Sequence, residues 1–422
     1  MRIAWLCNAP VRAISEALGR SGSVNSGWLD GAFADVMSVG EHELIIFYPQ
    51  KAESRVERSS GTGFEAHGFF CSKGDFRERD AAKGLFTEVL TSTKPDVVHI
   101  FGSENEFGEL MAQAAGDCGL LDRTVVSIQG LVSVISRQFM AGFPDTWLKR
   151  RTLSELKNRC SLYEQRESYQ RRGQSEERLI ASVHHIIGRT RWDEGCCRLV
   201  NPDIEYHHVG ESLRPEFYDA TPARDASSHR LYFSQGSKPI KAMYRLVEAL
   251  PAIARRVPDV RVVVAGSSGL RTDPMRGSSY DRYLARRMDE LCVRDRFDFV
   301  GSLGPDEVVA QMALCSAFVS TSSIENSPNS MGEAMMMGLP CVATFVGGVP
   351  DIAEHGKEAL LVPFNETELI SDALIRVLTD DSLAHALADA GRKRANINHS
   401  RTVNRDALLG AYARIAAHGV WN

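Results

Sequence analysis

The stretch "SSIENSPNSMGEAMMMGLPCVATFVGGVPDI", residues 322–352, decides how this chain reads. It follows the apolar run "AFVS", which has the pattern of a strand buried on both faces. The segment "NSMGEAMMMG" has helical spacing and ends at Gly338, with Pro340 just beyond. Ser327 followed by Pro328 fits a helix N-cap and first helical residue. Glu325 then belongs to the loop at the carboxyl end of a strand, and Glu333 to the second turn of the helix. A helix N-terminus offers free N–H groups and partial positive charge, a seat for phosphate. Two carboxylates beside that seat are poor phosphate ligands but good acceptors for sugar hydroxyls. Asn326, Ser327, Asn329 and Ser330, between them, are candidates for donating to a diphosphate.

The same logic recurs around this stretch. "ATFVGGVPDI" places Gly347 and Gly348 between a strand and a helix start, where missing side chains permit close backbone approach. "VRVVVAGSSG" ends a strand at Gly266, and "FDFVGSLG" ends one at Gly301. "YFSQGSKPIKAMYRLVEAL" reads as strand, turn at Gly236 and Ser237, then Lys238 and Lys241 before a helix. Two lysines at such a junction suit a diphosphate. All these features fall at carboxyl ends of strands, where doubly wound sheets bind ligands.

Further out, short apolar runs alternate with helix-like segments along all 422 residues. The expected strands cover residues 2–8, 43–48, 97–102, 125–130, 186–190 and 204–209 in the first half. In the second they cover 231–235, 260–266, 297–301, 317–321, 341–344 and 359–363. Buried strands separated by helices imply parallel sheets covered on both faces. The polar segment "DATPARDASSHR" separates the two sets and reads as a linker. The expected architecture is α/β: two facing Rossmann-like, doubly wound domains with a central cleft, spanning 1–220 and 231–398. A C-terminal helix over 399–422 is expected to pack back across the junction.

Composition narrows the function. A net charge of −5 argues against a nucleic-acid binder driven by phosphate contacts. The nine cysteines show no CxxC spacing, no DxD occurs, and the His and Cys spacings fit no ligand set, so no metal is expected. "MRIAWLCNAP" reads as a first strand rather than a signal peptide, and no run reaches the roughly 18 apolar residues that span a bilayer. A cytoplasmic protein of reduced thiols is expected. "GTGFEA" at Gly61 follows no expected strand and has alanine where a third glycine belongs, so it fails as a dinucleotide fingerprint. The Arg-rich segment "KRRTLSELKNRCSLYEQRESYQRRGQ" is helix-like, with acidic residues that partly balance it. It reads as a solvated helix, or as a peripheral contact with anionic lipid.

Glu325-x7-Glu333 followed by "AMMMGLPCVATFVGGVPDI" resembles the donor-site signature of retaining nucleotide-sugar glycosyltransferases of GT-B fold, the family-4 type. The likeness is dense from 317 to 363 and looser over most of the chain. It implies a C-terminal domain that binds a UDP- or GDP-sugar, with no separate cofactor. It implies an N-terminal domain that binds a carbohydrate or lipid-linked saccharide acceptor, in cell-surface polysaccharide or glycolipid assembly. Glu333 would take the ribose hydroxyls, Glu325 would position the donor sugar, and Lys241 would contact the diphosphate. Backbone around Gly301 would meet the base, and the Gly-rich "SGSVNSGWLDG", with Gly27, would pack on the diphosphate and acceptor. Two departures stand out. Gly236 occupies the place of the usual arginine, leaving Lys238 as a substitute without a bidentate fork. Gln129 occupies the place of a usual histidine, with His99 as the nearest alternative. The other readings of the same fold are a sugar-nucleotide-binding protein and an epimerase-like enzyme.

Overall fold

The computed structural model describes residues 1–19, 27–50, 58–71, 78–273 and 275–418. The chain divides into two compact units. The first comprises residues 1–134, 168–212 and 399–422, and the second comprises 135–167 and 213–398.

The first unit is built on a sheet of β1 (Arg2–Leu6), β2 (Glu43–Gln50), β3 (Arg58–Gly61), β4 (Phe64–Phe70), β5 (Val97–Phe101), β6 (Thr124–Ser127), β7 (His185–Gly188) and β8 (Glu205–His208). Their order is β3-β4-β2-β1-β5-β6-β7-β8, parallel except for the β3–β4 hairpin. Alternate residues of the central strands enter two different cores. Ala4, Leu6, Ile45, Phe47, Val98 and Ile100 pack toward the helices Arg79–Thr93 and Glu106–Asp117. Ile3, Trp5, Leu44, Ile46 and Val97 pack with Leu408, Ala411, Tyr412 and Ile415 of the C-terminal helix Arg401–His418. This two-sided burial is why the strands read as continuous apolar runs.

The second unit is built on β9 (Arg230–Phe233), β10 (Arg261–Ala265), β11 (Phe297–Gly301), β12 (Ala317–Ser320), β13 (Cys341–Thr344) and β14 (Leu360–Val362). The order is β11-β10-β9-β12-β13-β14, all parallel. The strand order reverses beside β9 and β12, the kind of switch point at which doubly wound sheets form a crevice.

The structure departs from the sequence reading in several places. The hairpin β3–β4 was not expected, because "RSSG" and "FEAHGFF" lack a continuous apolar run; "GTGFEA" is its turn, with Gly63 at φ 78°. Residues 135–167 and 213–220, expected in the first domain, belong to the second unit: Phe143 packs on Tyr244, and Leu213 and Phe217 are buried in its core. The C-terminal helix is part of the first unit and shares its core. The Arg-rich segment holds two helices, Leu153–Asn158 and Leu162–Ser182, broken where Arg159 turns left-handed at φ 48°. The short helix opens on a reciprocal cap in which Thr152 Oγ accepts from Glu155 N and the Glu155 carboxylate accepts from Thr152 N.

Candidate functional site

The residues singled out in the second unit gather at the carboxyl edge of its sheet, each fixed by the local chain. After β9 the backbone turns through Gln235, left-handed at φ 54°, and Gly236, whose N–H donates to Ala265 O at 2.9 Å. A Cβ on Gly236 would stand 2.2 Å from Val264 Cγ1, so only glycine fits. Gly266 N donates to Gly301 O (2.7 Å) and Gly301 N to Ser267 O (2.9 Å). The expected glycines thus lash the ends of β9, β10 and β11 together, and Ser237 and Lys238 stand exposed beside them.

Lys241 ends the short 3-10 turn Pro239–Lys241, which Ala242 closes in a left-handed conformation. This turn hangs on the end of β12. Thr321 Oγ1 donates to the carbonyls of Lys241 (3.2 Å) and Ala242 (3.0 Å), and Ser323 N donates to Ile240 O at 3.0 Å. The ammonium it positions pairs with Glu325 Oε1, which also accepts from Ser322 Oγ at 2.6 Å. Both members of the pair are largely buried, at 14% and 13% exposure. A largely buried ion pair of this kind is pre-formed, cationic on one side and anionic on the other.

Gly347 and Gly348 act on Glu325 through the backbone. Gly348 N donates to Glu325 O at 3.0 Å, and a Cβ on Gly347 would stand 1.9 Å from that oxygen. The close approach for which this glycine pair is needed is therefore to the Glu325 peptide itself. Further on, Pro328 is the extended residue before the helix Asn329–Met336, so the helix begins one residue later than expected and Ser327 is not its cap. Asn326 is buried, while Ser327, Asn329 and Ser330 are partly exposed around the helix start.

Glu333 is 6% exposed on that helix. Arg214 Nε and Nη2 donate to its two carboxylate oxygens at 2.7 and 2.9 Å, a bidentate fork. Burial raises the Glu333 carboxyl above its ordinary range, and the Arg214 bonds oppose that shift. Arg214 was missed in the sequence. It lies 119 residues before its partner, and nothing in "GESLRPEFY" specifies a carboxylate opposite.

The remaining candidates lie in the first unit. Gln129 Oε1 accepts from Arg189 Nη2 at 3.0 Å, and Arg189 is ion-paired with Glu211. Gln129 and His99 line one cavity of about 60 Å³ together with Asp35, Arg189 and Glu211. His99 is corrected as a catalytic candidate. Its ring is 0% exposed, and both ring nitrogens are engaged, Nδ1 with Tyr412 OH (2.6 Å) and Nε2 with Ser127 Oγ (2.5 Å). Trp5 Nε1 donates to the same Tyr412 oxygen at 3.1 Å, so the hydroxyl proton is directed to His99 Nδ1. Burial depresses the imidazole to about 3, which keeps it neutral. His99 ties the C-terminal helix to the sheet. Gly27 is the first residue of the helix Gly27–Met37; residues 20–26 of its Gly-rich stretch lie outside the described residues.

Residues 223–394 match the family of glycosyl transferases group 1. Over 162 residues the chain is 30% identical to a GDP-mannose-dependent alpha-(1-6)-phosphatidylinositol monomannoside mannosyltransferase of Mycobacterium tuberculosis, covering 37% of this chain and 40% of the relative. The matched part is thus well under half of that relative's length. Over 387 residues it is 26% identical to a D-inositol 3-phosphate glycosyltransferase of Saccharomonospora viridis, covering 81% and 87%. Among solved structures, Anabaena Alr3699/HepE in complex with UDP and glucose is similar at a TM-score of 0.63 and 15% identity, covering 98% of this chain and 100% of that one. The fold is of the GT-B class. Among the described residues, no helix is long and apolar enough to cross a membrane.

Proposed function

We propose that this protein is a retaining glycosyltransferase of the family-4 type. It moves a sugar from a UDP- or GDP-linked donor to a hydroxyl of a carbohydrate or lipid-linked saccharide. The observation that carries this reading is the assembly of Lys241, Glu325 and Ser322 at the switch point of the second sheet. The pair sits inside the segment that matches the glycosyl transferases group 1 family. Relatives and neighbours named for GDP-mannose and for UDP support both donor bases.

In this reading Lys241 turns from Glu325 to the diphosphate and lowers the energy of its departure. Glu325 is then free to accept from hydroxyls of the donor sugar, steered by Ser322. Glu333 accepts from the ribose hydroxyls once Arg214 yields part of its fork. The acceptor oxygen forms a bond to the anomeric carbon as the bond to the phosphate oxygen breaks. Its proton passes to that leaving oxygen, and nucleoside diphosphate departs. No protein nucleophile is needed, because attack on the face that the diphosphate leaves retains configuration.

A lipid-linked acceptor is supported by the segment around the helix Leu153–Asn158. Leu153, Leu156 and Tyr163 are exposed there at 56%, 50% and 44%, among the exposed cations Lys149, Arg150, Arg151 and Lys157. Apolar side chains ringed by lysine and arginine suit the interface of an anionic bilayer. Failure to co-sediment with anionic vesicles at low salt would remove this part.

The test of the function is a turnover screen, donor by donor, with and without saccharide acceptors. Release of nucleoside diphosphate that depends on acceptor supports transfer. A changed sugar nucleotide without acceptor would instead identify the epimerase-like reading.

A further inference from the structure

We propose that His184, His185 and Glu205 form a binding site for a borderline divalent cation, zinc by the nature of its ligands. The site lies at the amino-terminal ends of β7 and β8, opposite the edge that bears ligand loops in doubly wound sheets. The strand register creates it. β7 and β8 run parallel with His185 directly opposite Glu205 and Ile187 opposite His207. Glu205 and His207, two residues apart, therefore share one face of β8 with His185 beside them.

The distances fit a metal. One donor atom from each of His184, His185 and Glu205 lies within 4.8 Å of the others. His185 Nδ1 is 3.6 Å from Glu205 Oε2, and His207 Nε2 is 3.8 Å from Glu205 Oε1 and 3.1 Å from His185 Nδ1. Zinc holds nitrogen and oxygen at about 2.0–2.2 Å, so tetrahedral donors stand roughly 3.3–3.6 Å apart.

The burial pattern suits it too. His185 is 0% exposed and supplies a wall fixed by the core, whereas His184 is exposed and closes the site from solvent. His207 is the neighbour that the ion either displaces from His185 or recruits as a fourth ligand. Two imidazoles and one carboxylate favour zinc or its transition-metal neighbours over magnesium and calcium, which prefer oxygen. Arg414 Nη2, 3.4 Å from His207 Nδ1, adds a positive charge that weakens the site relative to a closed four-ligand centre. The ion would pin the edge strand β8 to β7. The linear sequence hides the group, because His184 and His185, at the start of β7, stand about 20 residues before Glu205 of β8.

The experiment is titration of the full-length, chelator-treated protein with zinc by calorimetry and with cobalt(II) by visible absorption. Wild type should bind one equivalent, unfold at higher temperature with zinc than with EDTA, and give the d–d bands of a four-coordinate cobalt site. His184→Ala and Glu205→Gln change side chains that reach solvent, so both should fold as wild type does without metal. Each should bind zinc at least tenfold more weakly and lose the cobalt bands. Wild-type binding that neither substitution weakens, or no cobalt bands in wild type, would overturn the site.

Discussion

Arg214 holds Glu333 through two parallel hydrogen bonds, at 2.7 and 2.9 Å, deep in the second unit. The carboxylate read from sequence as an acceptor for ribose is thus already satisfied by a guanidinium, whose side chain keeps 26% of its surface exposed. The pair neutralises a buried charge, and in the proposed function a ribose would have to share Glu333 with it. Arg214→Met should destabilise the protein by about 2 kcal/mol, because it strands a buried carboxylate. For a unit of this size that is a fall of several degrees in melting temperature. Glu333→Gln in the Arg214→Met background should cost much less than it does alone. Additive losses in a double-mutant cycle would show that the two side chains are not coupled.

Gly347→Ala should damage the site through the backbone. Its Cβ would press on Glu325 O, and its φ of 52° strains any side chain. Gly356 has φ 78° but open space around it, so Gly356→Ala reports strain alone, about 1 kcal/mol. Gly347→Ala should lose clearly more stability than this control, and turnover with it. Equal losses would mean that the contact with the Glu325 peptide is unimportant.

Glu325→Gln keeps a hydrogen-bonding side chain beside Ser322 but removes the charge that pairs with Lys241. Its freed lysine should hold nucleoside diphosphate at least as well as wild type, while turnover falls at least tenfold. Stopped turnover accompanied by lost nucleotide binding would instead make Glu325 part of the diphosphate seat.

Glu104 gives a pH signature in the first unit. Burial first, then the nearby Glu176, raises its carboxyl to about 7, against its own backbone bond, Arg172 and Asn8. A carboxyl with a raised folded pKa contributes stability that is fully present below its unfolded value of 4.5. That stability is lost as pH rises through about 7. Glu104→Gln cannot ionise, so its stability relative to wild type should improve between pH 4.5 and pH 8, by at most about 3 kcal/mol. Urea denaturation at the two pH values measures this, and a constant difference would contradict it.

Much of the site was legible because its geometry is local. Glu325, Gly347 and Gly348 lie in the loops after two successive strands, β12 and β13, and strand-end glycines such as Gly236, Gly266 and Gly301 advertise tight crossings between neighbouring strands. The buried strands of both sheets were legible for the same reason, since burial on two faces leaves an unbroken apolar run. What escaped depends on long-range pairing. Arg214 meets Glu333 across 119 residues, and His99 meets Tyr412 across 313. The hairpin β3–β4 escaped because its polar residues do not look buried in isolation. His99 resembled a site residue by position, and only its two engaged nitrogens reveal a structural tie.

The central claim is that Lys241 at the end of β9's loop seats a nucleoside diphosphate. Calorimetric titration of UDP and GDP into wild type and Lys241→Ala tests it most directly. Wild type should bind at least one of the two, and Lys241→Ala should bind it at least tenfold more weakly while melting as a folded protein. Equal affinity in the two proteins, or no binding of either nucleotide by wild type, would contradict the account.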